Sequence, residues 1–428
     1  METPLRHSRR GFIATGATAA AGLMVHSSAR AAEDTRVLRL GIVGCGGRGT
    51  GALDDSLTAN NYVRLVAAAD PFPAKAAVLR QTLQEKHADK IALDDGRIYG
   101  GLDGYRRILA DPEVDVVLLT SPPGFRPRMI LEAVQAGKHV FAEKPVCVDP
   151  AGYRICQAAQ AAAEAAGISI VTGTQYRRQT NFIAAVEQIR QGAIGQIVGG
   201  ATRFCTAGIW YRPRKEGMSD TEYQVNNWMH FIWLSGDQIV EQAVHNVDLM
   251  NWVMGSNPVL AYGSGGRFTR PDDSEMWDSM AIDYEYPGGK PVSLMCRQIP
   301  DTTGDNGSVV FGTEGTCFLG AVDSGSRIVD LAGQEVWARE GRISDAYRQE
   351  HADLVAAIRS GRPIVEVAQT ADSSLAAVLG RVAAYTGQRV AFEFLANESK
   401  LDLFPPDLDW AGGLPPSKHA IPGRTKLV

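Results

Sequence analysis

The chain has no C-x-x-C pair, and its six cysteines are scattered through 428 residues without metal-ligand spacing. That excludes a thioredoxin-type redox motif, a zinc ribbon and a disulfide-stapled small scaffold. No apolar run reaches the ~18 residues of a membrane helix, so no segment reads as a span. Positive charge is not in excess: 43 Lys and Arg stand against 48 Asp and Glu, a formal net charge of −5. A mildly acidic chain argues against nucleic acid and against an anionic membrane surface as partners. No internal repeat is visible, which excludes a solenoid. What remains is a globular composition with length for two or three domains and a sizeable core.

The first residues read as a targeting segment. Ser8-Arg9-Arg10-Gly11-Phe12-Ile13 holds a twin-arginine pair, Gly11 to Val25 is weakly hydrophobic, and Ala29-Arg30-Ala31 supplies an A-x-A cleavage site. Residues 1–31 are therefore expected to be a signal peptide engaging the twin-arginine export machinery. The mature protein is expected to be periplasmic or extracellular, without stable membrane association. That route carries folded proteins, so any cofactor would be loaded before export and held tightly.

The organising stretch is Leu38-Arg39-Leu40-Gly41-Ile42-Val43-Gly44-Cys45-Gly46-Gly47-Arg48-Gly49. A short apolar run of this kind suits a buried parallel strand. Gly44, Gly46 and Gly49 then give G-x-G-x-x-G, with Gly47 and Arg48 inside it. In that pattern the first glycine turns the chain, the second admits a pyrophosphate and the third lets the next helix sit close. Val63 to Ala69 reads as a second strand ending on Asp70, at the spacing of a ribose-binding carboxylate. The acidic residue favours NAD over NADP.

Strand and helix then alternate. A helix from Pro73 toward His87 leads to a third strand at 114–119, then to a helix over 126–136 and a strand at 139–142. A helix from Pro150 to Ala166 and a strand at 169–172 follow. This predicts a doubly wound parallel α/β unit, with its strand ends gathered along one ligand-binding edge. After about residue 180, long alternating runs and the turn Pro287-Gly288-Gly289 indicate a large, mostly antiparallel sheet. Helices are expected near 344–359 and 370–386, the first packing back across one of the two units. Cys296 and Cys317 lie on strand-like runs and could pair, though isolated buried thiols are the simpler reading. The expected fold class is α/β, with a Rossmann dinucleotide-binding domain over 36–175 and an α+β domain with an open sheet over 176–395. An extended arm over 396–428 would wrap the chain or a neighbouring subunit.

Three places carry chemistry. Glu143-Lys144-Pro145 follows a buried strand at the ligand edge, where a partly desolvated lysine beside a cationic ring would have a lowered pKa. A helix spanning 238–254 would place Glu241, His245, Asp248 and Trp252 within roughly 60° of one another. That face is either solvated or a proton-transfer site. It lacks a source for the remaining ligands of a metal, so no metal site is expected. The segment 206–233 is rich in Trp210, Tyr211, Arg212, Asn226, Asn227 and Trp228, a set that suits sugar rings and suits subunit contacts equally.

The combination of Gly44-Cys45-Gly46-Gly47-Arg48-Gly49, Glu143-Lys144-Pro145 and Glu241-x-x-x-His245-x-x-Asp248 resembles the Gfo/Idh/MocA oxidoreductase family over residues 36 to about 395. The resemblance implies a nicotinamide cofactor at a domain junction, carbohydrate substrates, and dimers or tetramers packed through the open sheet. It implies Lys144 and His245 as the proton-handling pair, with Glu241 assisting where many members carry Asp. It places Arg48, Asp70, Ser121, Glu143 and Gln175 on the cofactor, with Pro122 beside Ser121. Candidate substrate contacts are Tyr176, Arg177, Tyr211, Trp228 and Asp248, together with Lys144 and His245. Hydride transfer at a sugar, polyol or glycoside carbinol is the leading expectation. A redox-neutral, NAD-dependent glycoside hydrolase is the alternative, and a non-catalytic sugar-binding protein is a third.

Overall fold

The computed structural model describes residues 35–428, so the twin-arginine segment lies outside the described residues. The first sheet is built from β1 (Leu38–Val43), β2 (Val63–Ala69), β3 (Ile98–Tyr99), β4 (Val116–Leu119), β5 (His139–Ala142) and β6 (Ile170–Thr172). Its order is β3-β2-β1-β4-β5-β6, all parallel. The strand expected third is thus the fourth; β3 has two residues, too few to leave a pattern in the sequence. The chain reverses direction across the sheet between β1 and β4, where doubly wound folds bind ligands.

Apolar residues cover both faces of this sheet. On one face Leu40 and Ile42 meet Leu53 and Leu57 of the helix Gly47–Ala59 and Leu354 of the helix Ile343–Ser360. On the other, Val117 and Val140 meet Ile130 and Ala159 from the helices Arg126–Gln135 and Pro150–Ala166. The helix Ile343–Ser360 therefore packs on the nucleotide-type sheet, one of the two expected placements.

The second sheet contains β7 (Ile197–Thr206), β8 (Leu260–Gly266), β9 (Ser279–Tyr286), β10 (Lys290–Gln298), β11 (Asp305–Gly312), β12 (Gly315–Gly320), β13 (Ser326–Asp330), β14 (Glu335–Arg339) and β15 (Val390–Ala391). Its order is β14-β13-β12-β11-β7-β10-β9-β8-β15, antiparallel except where β7 and β10 run parallel. One face packs on the helices Val244–Met254 and Val367–Thr386. The other stays open and exposes Val198, Tyr262, Met295 and Phe311. All six cysteines are buried thiols. Cys296 on β10 and Cys317 on β12 are separated by β7 and β11, hence by roughly 14 Å at strand spacing, beyond disulfide reach.

The segment after residue 396 packs against its own chain. Phe404 meets Phe125 and Trp233 edge-on at 5.8 Å, Trp410 meets Phe72 at 5.2 Å, and Leu403 N–H donates to Asp149 Oδ2 at 2.8 Å.

His351 sets a pH dependence in this fold. It is buried, its ring lies 4.1 Å from Phe141, and burial reinforced by Arg48 pushes its pKa down to about 3. The unfolded chain protonates this imidazole below its ordinary 6.5 and the folded chain does not. Its share of stability is therefore complete above that value and is lost as pH falls. Between pH 7 and 5 the loss from this one group is about 2 kcal/mol. Urea unfolding of His351→Gln is expected to vary less between those pH values than wild type by about that amount.

Candidate active site

The turn from β1 into the helix Gly47–Ala59 is shaped by two glycines. Gly44 has φ +94°, and a Cβ there would come within 2.6 Å of Ser121 N. A Cβ on Gly49 would overlap the Gly44 carbonyl, so helix and strand touch at that point. Around Gly46 and Gly47 there is open space instead. A phosphate-sized opening at a helix N-terminus, bounded by two forced glycines, fits a pyrophosphate. Gly49→Ala is expected to abolish nucleotide retention, measured as the nucleotide released per purified chain after denaturation.

The turn opens into a cleft of about 540 Å³ lined by Gly44, Gly46, Gly47, Arg48, Gly49, Asp70, Ser121, Pro122, Glu143, Lys144 and Gln175, every residue assigned to the cofactor from sequence. Asp70 accepts from Cys45 N–H at 2.8 Å and from Phe72 N–H at 2.9 Å, so its carboxylate also braces the turn. Arg48 Nε donates to Glu143, and the guanidinium lies 4.6 Å from the Tyr347 ring. Burial raises the Glu143 pKa, but Arg48, Arg126 and Lys144 outweigh it and hold the carboxyl below its ordinary value. Beneath this pair Glu350 is fully buried with neither oxygen partnered; burial, then Glu143, pushes it well above the carboxylate range.

Lys144, Glu241 and His245 meet on the cleft wall. Lys144 Nζ lies 3.0 Å from Glu241 Oε1 and 2.5 Å from the Glu241 carbonyl. That second bond corrects the expectation of one helix over 238–254. With its carbonyl turned to Lys144, Glu241 does not accept the His245 amide, which donates to Gln242 O at 3.4 Å. Two helices result, Gln238–Glu241 and Val244–Met254. The longer Glu at this position thus reaches the lysine with its carboxylate while its backbone does the same. Burial, then the charges of Lys144 and Arg48, hold His245 well below its ordinary 6.5, so its imidazole is neutral. The arrangement places a neutral proton acceptor beside an ammonium fixed by a carboxylate, with a dinucleotide cradle in the same cleft.

Four residues expected to contact substrate are not on the cleft wall. Arg177 forms a forked ion pair with Asp248, at 2.9 Å from Nε to Oδ2, and Asp248 also accepts from Ser373 at 2.7 Å. A carboxylate 1% exposed and so engaged braces the fold behind His245. Tyr176 is buried under His245, ring to ring at 5.3 Å. Tyr211 turns its hydroxyl to Tyr223 and Asp273, whereas Trp228, Trp210, Arg212 and Asn226 line the cleft. Arg126, Tyr347, Phe72 and Lys75, none of them a candidate from sequence, line it too. Among the described residues no group of His, Cys, Asp and Glu is arranged to hold a metal.

The family description "Oxidoreductase family, NAD-binding Rossmann fold" matches residues 38–173, and the Gfo/Idh/MocA C-terminal domain matches residues 182–318. The chain belongs to the Gfo/Idh/MocA oxidoreductase family. Within it, the chain is 24% identical to scyllo-inositol 2-dehydrogenase (NAD(+)) of Bacillus subtilis, over 77% of this chain and 88% of that one. It is 22% identical to an inositol 2-dehydrogenase of Rhizobium meliloti, over 80% and 94%. Its fold matches an aldose-aldose oxidoreductase from Caulobacter crescentus, solved with glycerol, at TM-score 0.66 and 22% identity over 83% of this chain and all (100%) of that one. A levoglucosan dehydrogenase solved with NADH and levoglucosan gives TM-score 0.66 at 18% identity, again over 83% and 100%. This Gfo/Idh/MocA chain therefore carries the family's nucleotide-binding sheet and its mixed, mostly antiparallel second sheet.

Proposed function

We propose that the protein moves a hydride between a tightly held NAD(H) and a sugar, polyol or glycoside carbinol, in the periplasm after twin-arginine export. The reading rests on one observation: the Lys144–Glu241 pair and neutral His245 share a cleft with the dinucleotide cradle. Inositol and levoglucosan dehydrogenases among the relatives support a carbohydrate substrate. Asp70 beside the cradle supports NAD over NADP, since its carboxylate would oppose a further phosphate. Trp410 covering Phe72, at the Asp70 end of the cleft, supports slow cofactor release. The exposed apolar residues of the second sheet support a homodimer or homotetramer.

A nicotinamide bound here supplies the acceptor and the source of hydride. Lys144 donates a hydrogen bond to the carbinol oxygen and holds it in place. Glu241 keeps the ammonium aimed. His245 takes the hydroxyl proton as the C–H bond yields its hydride, and returns it in the reverse direction. Trp228 and Trp210 offer apolar faces to the ring. A cycle that returns the hydride to the same sugar after losing an aglycone, a net hydrolysis, uses the same groups and suits a cofactor that does not leave. A purely sugar-binding role leaves a buried ion pair beside a neutral imidazole without use.

The test uses protein purified without added nucleotide, challenged with a panel of sugars, polyols and aryl glycosides. The reduced-nicotinamide band and aglycone release are followed together, and the nucleotide released on denaturation is identified by mass. A lasting change in the band without cleavage gives net oxidoreduction. Aglycone release with the band restored gives the redox-neutral cycle. Protein that holds no nucleotide, binds none supplied and answers no sugar overturns the proposal.

A further inference from the structure

Five cationic side chains line the cleft, Arg48, Lys75, Arg126, Lys144 and Arg212, against three carboxylates, Asp70, Glu143 and Glu241. The cleft thus holds two excess positive charges in a chain whose formal net charge is −5. Arg48 is met by Glu143 and Lys144 by Glu241. Arg126 is met by no carboxylate among the described residues, yet it is 4% exposed. Its Nη1 donates to the carbonyls of Lys144 and Pro145, both at 2.7 Å, while the buried Nε has no acceptor. Burial draws its pKa down to about 10, against the pull of Glu143 and Glu241, so the guanidinium stays charged at neutral pH.

A buried cation with an idle donor is costly unless a ligand meets it. Oxidised NAD brings two phosphate charges, one offset by its ring, and so removes one of the two excess charges. Its phosphates belong at Gly46 and Gly47, not at the Lys144 end where Arg126 sits. One positive charge is left over for the substrate. Nη2, which no hydrogen bond engages among the described residues, can donate a charge-assisted bond to a carboxylate oxygen. A single remaining charge suits a carboxylate better than a doubly charged phosphate.

We propose that the sugar taken at this site carries a carboxylate, as a uronic or aldonic acid does, and that Arg126 binds it. The inference rests on the carbohydrate oxidoreductase reading above and narrows its substrate class. Arg126 then has two tasks. Nη1 holds the carbonyls of the Lys144 segment, and Nη2 selects the acid and fixes its carbinol against Lys144 and His245.

The experiment uses the holoprotein and a panel of hexuronates, each paired with its neutral hexose and that hexose's phosphate. Binding is measured by titration calorimetry and turnover by the nicotinamide band, for wild type, Arg126→Met and Arg126→Lys. Wild type is expected to bind a hexuronate about 10- to 100-fold tighter than the matched hexose, the range of a charge-assisted pair. In Arg126→Met that ratio is expected to fall to about one, with Arg126→Lys between. Equal binding of acid and neutral sugar by wild type, a ratio unchanged in Arg126→Met, or preference for the phosphate overturns the inference. Should Arg126→Met fail to fold, the wild-type ratio and its change in Arg126→Lys decide. If neutral sugars react and uronates do not, this inference alone falls; if no sugar binds or moves the band, the functional proposal falls with it.

Discussion

Lys144→Met is expected to lower turnover at least about 10³-fold while the purified protein keeps its nucleotide. Methionine is of similar length but cannot donate to the carbinol oxygen. It also leaves Glu241 with only its bond from the neighbouring Gln242 amide, an under-partnered carboxylate 7% exposed. That deficit costs stability on its own, about 3 kcal/mol for a buried pair broken on one side. The double variant Lys144→Met/Glu241→Gln removes the stranded charge. It is expected to recover most of the lost stability and none of the turnover. Rate and stability would then be separated. Recovery of turnover in the double variant would mean that the lysine acts only by balancing charge.

His245→Asn is expected to lower turnover about 10²–10⁴-fold, the range of a lost general base. The pH profile gives the sharper sign. Burial, Lys144 and Arg48 hold the wild-type imidazole below its ordinary 6.5. A base must be neutral to accept a proton, and this one stays neutral until the pH falls well under that value. The acid limb of carbinol oxidation in wild type is therefore expected below pH 6.5 and is expected to vanish in His245→Asn. An acid limb at or above 6.5, or one that persists in the variant, would move the base elsewhere.

Much of this site was legible in the sequence because its parts follow strand ends. The glycine turn, Asp70, Ser121 and Glu143-Lys144 each sit where a short buried run stops, and a parallel sheet carries such ends to one edge. Helical spacing was a weaker guide. Glu241 and His245 do reach the cleft, but through a break that Lys144 creates by taking a carbonyl from nearly a hundred residues away, outside the reach of any local pattern. Asp248 and Arg177 have the side chains of substrate ligands, but they lie 71 residues apart in sequence and meet each other, a pairing no local spacing shows. Tyr211 and Trp228 were indistinguishable in a segment without regular periodicity. Arg126 did leave a signal: it is a cation in the first turn of the helix that follows a ligand-edge strand and its short loop, where the dipole disfavours positive charge.

Direct hydride exchange between a resident nicotinamide and a sugar carbinol is the proposed chemistry. It is tested by giving protein purified without added nucleotide a reactive sugar deuterated at its carbinol carbons, and weighing the released nucleotide by mass spectrometry. Deuterium in the nicotinamide ring, absent when Lys144→Met is treated alike, is the expected result. Sugar converted while the nucleotide stays unlabelled, or converted by protein that holds no nucleotide, would contradict it.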